Sequence, residues 1–381
     1  MKTSSERILT THVGSLPRPD DAVALLLRKD RGEAYDQAEF DRVMRRAVAD
    51  IVKRQVEIGL DVVSDGETSK IGYATYIKDR FNGFGGHFTP KPHLDLADHP
   101  EFRKRMTAFL GSQTFRRLTC IAPVSIKDRN AAKFDVENFR SALASSSATE
   151  GFLNAASPGV VSSFQPNRYY PSHEAYIEAL VAVLQPEYEA IANAGLLLQI
   201  DCPDVAMSRH TGFQDLSEAD FLKRAAFDIE ALNHALANVP ANQVRVHVCW
   251  GNYEGPHDHD IALEKILPIV LRAKAQAISF EAANPRHEHE WVVWRDAKLP
   301  DDKILIPGVL DSSSNYVEHP ELVAQRIERF ADAVGRERVI AGTDCGFGTF
   351  AAYSKVDPAI AFKKLRALAQ GAAIASKRLW N

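Results

Sequence analysis

Residues 244–252 read VRVHVCWGN, where valines at 244, 246 and 248 alternate with Arg245, His247 and Cys249 before a glycine breaks the run. Side chains two apart on a strand point to one side, so His247 and Cys249 project together from the end of a predicted strand. Comparable runs recur on both sides of it: Ile8–Ser15, Leu60–Ser64, Leu118–Val124, Gly159–Phe164, Leu196–Asp201, Ala277–Glu281, Ile304–Leu310 and Val339–Gly342. Longer amphipathic stretches lie between them, among them Gln37–Ile58, Ser172–Ala194, Glu218–Ala237, Asp260–Ala273, Pro320–Val334 and Pro358–Ser376. Strand and helix in alternation predict βα units on a parallel sheet. The candidate strands exceed the places of a (β/α)8 barrel by one, and Leu118–Val124 is the expected extra. It lies in a section, residues 68–157, rich in breakers such as FNGFGGHF and ALASSSATEGFLNAASPG. The reading is an α/β protein: a single TIM-barrel domain over residues 1–381, with residues 68–157 as a large insertion or lid after the second strand. A doubly wound sheet fits less well, because no GxGxxG follows the first strand.

The chain has 381 residues, 45% hydrophobic and 25% charged, which suits a large core without covalent staples. Its 46 Lys and Arg nearly balance 50 Asp and Glu; the formal charge of −4 leaves no footprint for nucleic acid or an acidic membrane. No apolar run reaches the ~18 residues of a membrane span. The start, MKTSSERILTT, has no apolar signal core, so the cytoplasm is the expected location. In a reducing compartment Cys120, Cys202, Cys249 and Cys345 predict ligands or nucleophiles rather than disulfides. The sequence leaves the oligomeric state open.

Barrel chemistry gathers at the C-terminal ends of the strands. Glu281 ends one predicted strand, and Cys345 follows another in GTDCG. His247, Cys249, Glu281 and Cys345 can therefore converge on one rim. One imidazole, two thiolates and a carboxylate suit four-coordinate Zn2+. Spacing alone equally allows a buried Cys249, an unrelated loop Cys345 and a surface Glu281. Ser15 in VGSLPRP, Asp65 and Glu67 in SDGE and Asp201 in IDCPD also follow apolar strands. A buried carboxylate without a partner costs several kcal/mol, so such acids face a ligand or cation, or cap a helix. His257, His259, His287 and His289 read as solvated loop residues. Cys120 and Cys202 stay outside the metal set. Gly83, Gly85 and Gly86 make no phosphate loop, since no GK[ST] follows.

Taken in order, TTHVGSLPRP, VVSDGE, LQIDCPD, HVCWGN, SFEAANP and GTDCGFGT resemble the catalytic C-terminal barrel of the cobalamin-independent methionine synthase family and its single-domain relatives. The resemblance runs over nearly the whole chain. It implies Zn2+ held by His247, Cys249, Glu281 and Cys345. It also implies that Val13, Gly14, Ser15, Glu67 and Asp201 hold the amino-acid part of homocysteine, with Glu67 and Asp201 catalytic. The implied activity is a zinc-dependent methyltransferase, a thiol S-alkyltransferase of methionine biosynthesis. Its partners would be a small-molecule thiol and an alkyl donor. Folate-using members carry a histidine shortly after GVxD; Ser313 in GVLDSSSNY stands in that place. That departure points to a donor other than polyglutamyl folate, a corrinoid protein being one candidate. Relatives similar to epoxyalkane:coenzyme M transferase (2-hydroxypropyl-CoM lyase) give the alternative, epoxide opening by a zinc-bound thiolate. There Arg18, Lys70 or Arg209 would meet the sulfonate. A non-catalytic structural zinc protein is the remaining alternative, which a closed Cys/His site would mark.

Overall fold

The structure, a computed structural model, describes residues 1–110, 117–352 and 354–381. Ten strands are found among the described residues. They are β1 (Leu9–Thr10), β2 (Val62–Ser64), β3 (Phe81–Gly85), β4 (Thr119–Ile126), β5 (Glu150–Ala156), β6 (Leu197–Asp201), β7 (Val244–Val248), β8 (Ala277–Phe280), β9 (Ile304–Pro307) and β10 (Ile340–Ala341). A six-stranded parallel sheet runs β2-β5-β6-β7-β8-β9, and β10 pairs with β1 in parallel. Parallel bridges Leu305↔Val339 and Gly308↔Gly342 join β9 to the β10 region. The remaining seam is closed by the Asp61 N–H on the Thr10 carbonyl (3.2 Å) and the Thr11 hydroxyl on the Val62 carbonyl (3.0 Å). These strands make the closed ring of a TIM barrel.

Local chemistry sets the surrounding helices. Gln37–Ile58 opens where Asp36 accepts the Ala38 and Glu39 N–H groups and ends at Gly59, whose φ of 100° few other residues adopt. Its buried Phe40, Val43, Met44, Ala47, Val48 and Ile51 recur at three- and four-residue spacing; the first three pack on Leu25 and Leu26 of the preceding helix, and Val48 and Ile51 join the main core. The strands of the ring, unlike β3 and β4, are buried on both faces, so most read as continuous apolar runs. Arg245 of β7 is one of several polar exceptions inside the ring, with Asn154 of β5 and Gln199 of β6. Its guanidinium donates to the Thr11 hydroxyl (2.9 Å) and the His12 carbonyl (2.8 Å) and lies over the Phe152 ring at 4.1 Å. It thereby ties β7 to the exit of β1.

Two expectations need correction. Gly159–Phe164 is not a strand but part of the helix Pro158–Phe164. Ser157 accepts the Val160 N–H at 2.9 Å and Pro158 fills the first turn, a start signal that overrides the β-branched GVV. The barrel place belongs instead to β5, which pairs with β2 and β6. Its EGFLNAA lacks alternation because both faces are buried, and its small residues imitate a linker; a Cβ on Gly151 would come within 2.8 Å of the Phe139 ring. The stretch 68–157 therefore contains the third barrel strand. It also contains the helix Ala131–Ala144, which packs on Gln37–Ile58.

The part that leaves the barrel is centred on the antiparallel pair β3–β4, with the helices Leu94–Asp98 and Pro100–Leu110 between the two strands. Residues 111–116 of it lie outside the described residues. Leu118–Val124, the expected extra strand, is indeed β4 of this arm. Gly83 belongs to a β-bulge: its φ is 100°, and a Cβ there would stand 2.9 Å from two carbonyl oxygens of β4.

Arg80 fastens the root of the arm to the barrel. It is 7% exposed, meets Glu187 Oε1 at 2.7 Å, pairs with Asp135 and stacks on Tyr76. Arg80→Ala leaves two buried carboxylates uncompensated and should cost about 3–5 kcal/mol in urea denaturation. A loss below about 1 kcal/mol would mean that water reaches this network.

Candidate active site

The ends of β7 and β10 bring His247, Cys249 and Cys345 together. Their ligand atoms all lie within 4.8 Å of one another, and all three residues are buried. The Cys249 and Cys345 sulfurs are 3.8 Å apart. Two thiolates bound about 2.3 Å from a tetrahedral zinc would stand about 3.8 Å apart. His247 Nδ1 meets the Ser279 hydroxyl at 3.2 Å, while Nε2 is buried with no hydrogen-bond partner. Burial, then the Arg245 charge, lowers its pKa to about 3, so the ring is neutral, and in the tautomer that donates Nδ1–H toward Ser279 the Nε2 lone pair is free for a metal. An orphaned imidazole nitrogen beside two convergent thiols fits a tetrahedral metal; hard oxygen-seeking cations fit it poorly.

Glu281 is buried beside Cys249 but outside this trio. Its oxygens accept the Trp250 N–H (2.8 Å) and the Asn284 amide (2.7 Å). The Cys249 thiol is pushed up by its bond to Cys345, by burial and by the Glu281 charge. Asp344 aligns these groups. Its carboxylate accepts the N–H groups of Ala282, Ala283 and Asn284, each at 2.8 Å, clamping the exit of β8 against the exit of β10. Gly308 at the end of β9 leaves room for it: a Cβ there would lie 2.2 Å from Asp344 Oδ1.

A second group sits across the barrel mouth. Glu67 is 2% exposed, has a left-handed φ of 52°, and keeps Oε2 without a partner. Few non-glycine residues take that backbone, and strain of this kind collects at functional sites. Asp201 accepts the Asn154 amide (3.1 and 3.3 Å) and the Gln199 amide (2.9 Å). Burial, then the Asp201 charge, raises Glu67 to about 7. Burial raises Asp201 to about 6 against its two amide partners. Asp65 instead accepts the Glu67 N–H at 2.9 Å and shapes the turn. The Val13 carbonyl accepts from both Asn154 and Gln199. Gly14 is required, since a Cβ would fall 2.3 Å from Asn154 Oδ1. The Ser15 N–H supports the Glu67 carboxylate, and its carbonyl accepts from Phe347 N at 2.8 Å. The residues named from sequence thus gather at one end of the barrel in two groups, with Ser15 and Phe347 linking their loops.

The catalytic-domain family of cobalamin-independent synthases matches residues 8–90 and 119–369. The chain belongs to this family. Its curated relatives include the methionine synthase of Sulfolobus acidocaldarius, 24% identical over 88% of this chain and 85% of its own length. That of Saccharolobus solfataricus is 22% identical over 97% and 95%. The 5-methyltetrahydropteroyltriglutamate–homocysteine methyltransferase of Lactococcus lactis is 24% identical, but the match spans only 40% of that protein. In fold the chain is similar to a B12-independent methionine synthase from Shewanella sp. W3-18-1 solved with selenomethionine, with TM-score 0.74 and 19% identity, over 98% of this chain and 99% of that one.

Set against the rest of the family motif, Ser313 is a departure with a clear structural role. Its N–H and hydroxyl both donate to Asp311 at 2.8 Å in a turn that Ser314 also joins. Of the histidines beyond β7 and β8, His259 and His289 are exposed as expected, whereas the other two are not. His257 and His287 are buried and share Asp260 Oδ2 at 2.8 and 2.9 Å, and His287 also meets Glu290 at 2.8 Å. Despite the cost of burial, Asp260 and Glu290 hold His287 up to about 10, so it is cationic and stacks on Trp250 at 4.3 Å. Sequence reading missed Asn154, Gln199, Asn284 and Asp344, because strand-end amides and acids look alike until their partners are known. Asn252 joins three loops, donating to the Gly346 carbonyl and Thr349 hydroxyl (2.8 Å each) and accepting from Ser312 (3.1 Å).

Cys249→Ser and Cys345→Ser should each lose stoichiometric zinc while keeping the wild-type far-ultraviolet circular dichroism. Full zinc retention in both, measured by elemental analysis after dialysis, would disprove this centre.

Proposed function

We propose that this protein is a zinc-dependent methyltransferase that transfers a methyl group to the sulfur of homocysteine. The observation that carries the reading is the pairing, in one barrel mouth, of a buried His/Cys/Cys trio with a buried acid pair that retains an unpartnered oxygen. Membership of the synthase family and the names of its full-length relatives support it. His247, Cys249 and Cys345, with Glu281 beside them, would hold the zinc. A free thiol is only about 3% ionised at pH 7, and bound zinc supplies the Lewis acidity that makes a thiolate there.

The chain's own residues do the rest. Glu67 and Asp201 draw in the ammonium of the amino-acid thiol, a charge-assisted contact. Val13, Gly14 and Ser15 form the floor that keeps both acids in place. Asp344 holds the Cys345 loop and the Glu281 loop in register. Burial excludes water, so the alkyl carbon meets the sulfur rather than hydroxide. Alignment of nucleophile and leaving group supplies the remaining advantage.

We place the methyl source outside the polyglutamyl folates, since the Ser313 hydroxyl is spent on Asp311 and is no acid near pH 7. A corrinoid-borne methyl group is compatible with this. Epoxide opening with coenzyme M is not favoured: the pocket presents two carboxylates, and Arg18 spends its guanidinium on the Glu67 and Gly348 carbonyls. A purely structural zinc is opposed by the acid pair beside it. Among the described residues no helix is long and apolar enough to cross a membrane, and all four cysteines are free. A reducing cytoplasm fits thiols that must stay reduced.

Zinc-edge X-ray absorption, titrated separately with homocysteine and coenzyme M, tests the reading. The sulfur count should rise from two to three with homocysteine alone; no change with either thiol would defeat it. Capture should also depend on pH. With Glu67 near 7 and Asp201 near 6 in the free pocket, the acids become neutral as pH falls and cease to attract an ammonium. The affinity for homocysteine should drop between pH 7.5 and 5.5, and Glu67→Gln should raise KM about 10- to 100-fold, as loss of a charged hydrogen bond does. A KM unchanged in Glu67→Gln would remove Glu67 from the pocket.

A further inference from the structure

The family match stops at residue 90 and resumes at residue 119. What it skips is the tip of the arm, with the helices Leu94–Asp98 and Pro100–Leu110, carried out from the barrel by the ribbon β3–β4. The Phe88 N–H on the Arg117 carbonyl (3.1 Å) ties the two sides of the tip at its base. The tip meets two loops of the barrel mouth. Beyond β6, the His210 carbonyl accepts the Leu94 N–H at 3.0 Å, and the Gln214 amide reaches the Pro92 carbonyl at 3.2 Å. Beyond β7, the Tyr253 hydroxyl (2.5 Å) and the His257 N–H (3.0 Å) both donate to Asp95 Oδ2, and the His93 and Tyr253 rings meet in a T shape at 5.0 Å.

From Tyr253 the path to the metal trio is short. Its ring packs over Gly251, where a Cβ would come within 2.8 Å of it, and the Gly251 N–H donates to Cys249 Sγ at 3.3 Å. Cys249 is 5% exposed and Cys345 9%, too little for an alkyl carbon to approach unless something moves. The tip is the part held most lightly. Among the described residues none from 86 to 107 joins the main apolar core. Its outer pairs, Lys91 with Asp215 and Asp98 with His259, are exposed and contribute little. Asp95 is 1% exposed, and burial followed by its bond to Asp95 keeps the Tyr253 phenol protonated and therefore a donor. A segment with few apolar contacts opens more cheaply than the barrel beneath it, and on opening water takes over both bonds of the Asp95 carboxylate.

We propose that the inserted tip of the arm is a lid, latched by Asp95 over the loop that carries Cys249, and that its opening admits the alkyl donor to the metal trio. This rests on the proposed function only in taking the trio as the reacting centre. A site that must exclude water during transfer and still receive a donor needs such a cover, and one buried carboxylate with two donors from a single loop fastens it.

The test follows alkylation of the zinc-loaded protein by iodoacetamide, read at each cysteine by peptide mass spectrometry. Cys202, in the apolar core, is the internal reference. Asp95→Ala and Tyr253→Phe should each raise the rates at Cys249 and Cys345 by about tenfold or more, as loss of a hydrogen bond to a charged group allows, with Cys202 and the zinc content unchanged. Asp98→Ala, which removes only an exposed pair, should leave every rate within about twofold. In the wild type, hydrogen exchange at residues 94–107 should be faster than in β6 and β7. If Asp95→Ala folds poorly, Asp95→Asn gives the same comparison with the shape retained. Unchanged rates at Cys249 and Cys345 in both latch variants would overturn the lid. An equal rise at Cys202, or loss of zinc, would make Asp95 a structural support and overturn it too. These rates report access rather than methyl transfer, so a failed homocysteine titration would leave the lid standing, and a failed lid would leave the methyl-transfer reading intact.

Discussion

The Asp344 carboxylate, with three backbone N–H groups on it, is the contact on which the rest of the site depends. Burial and the Glu281 and Asp311 charges push the Asp344 carboxyl toward its neutral form, so each of these hydrogen bonds contributes about 0.5–1.5 kcal/mol net, and together they make the exits of β8 and β10 one rigid piece. That clamp acts with the Asn252 amide on the Gly346 carbonyl and the Phe347 N–H on the Ser15 carbonyl to hold Cys345 opposite Cys249, which lies just past a strand fixed by the barrel ladder. The 3.8 Å between the sulfurs is a product of barrel closure plus this clamp. Gly308 completes the arrangement by offering no side chain where the carboxylate must lie.

The same logic of held-apart groups governs the other half of the mouth. Folding has not relaxed this side by pairing Lys70, which instead donates to the Asn154 carbonyl, with Glu67, or by turning Glu67 toward water. It spends amides instead: Asn154 and Gln199 on Asp201, Ser15 on Glu67, and a strained backbone at residue 67. Such preorganisation raises the cost of the empty site and lowers the cost of binding, since no reorganisation is left for the ligand to drive. Under the proposed function the two halves would answer two ends of one molecule, soft sulfur at the His/Cys/Cys trio and hard charge at the acid pair.

The arm around β3 and β4 closes over this mouth through a polar contact rather than an apolar one. Asp95 at its tip accepts the Tyr253 hydroxyl (2.5 Å) and the His257 N–H (3.0 Å), both on the loop that follows β7. The loop carrying Cys249 is therefore buttressed from outside by Asp95 and from inside by Asn252, while Trp250 seals it against the cationic His287.

Much of this was legible in the chain. Alternation in VRVHVCWGN put His247 and Cys249 on one side, and the order of strand-end motifs named the barrel, the trio and both acids before any coordinate. These are local signals: a strand's period and the residue at its end depend on neighbours in sequence. What stayed hidden depended on contacts far apart in the chain. Gly159–Phe164 looked like a strand until its cap and proline decided otherwise, and Glu150–Ala156 looked like a linker because a strand buried on both faces shows no period. Glu281 could be placed at the rim but not off the trio, since only Trp250 and Asn284 determine where its oxygens turn. Periodicity and strand-end position thus pointed to a parallel α/β fold and to the candidate rim residues, while the resemblance of the ordered motifs, not composition, implied the metal. Tertiary structure alone decided which charges meet and which, like Lys70 and Glu67, are kept from meeting, because that balance rests on distances that no stretch of sequence contains.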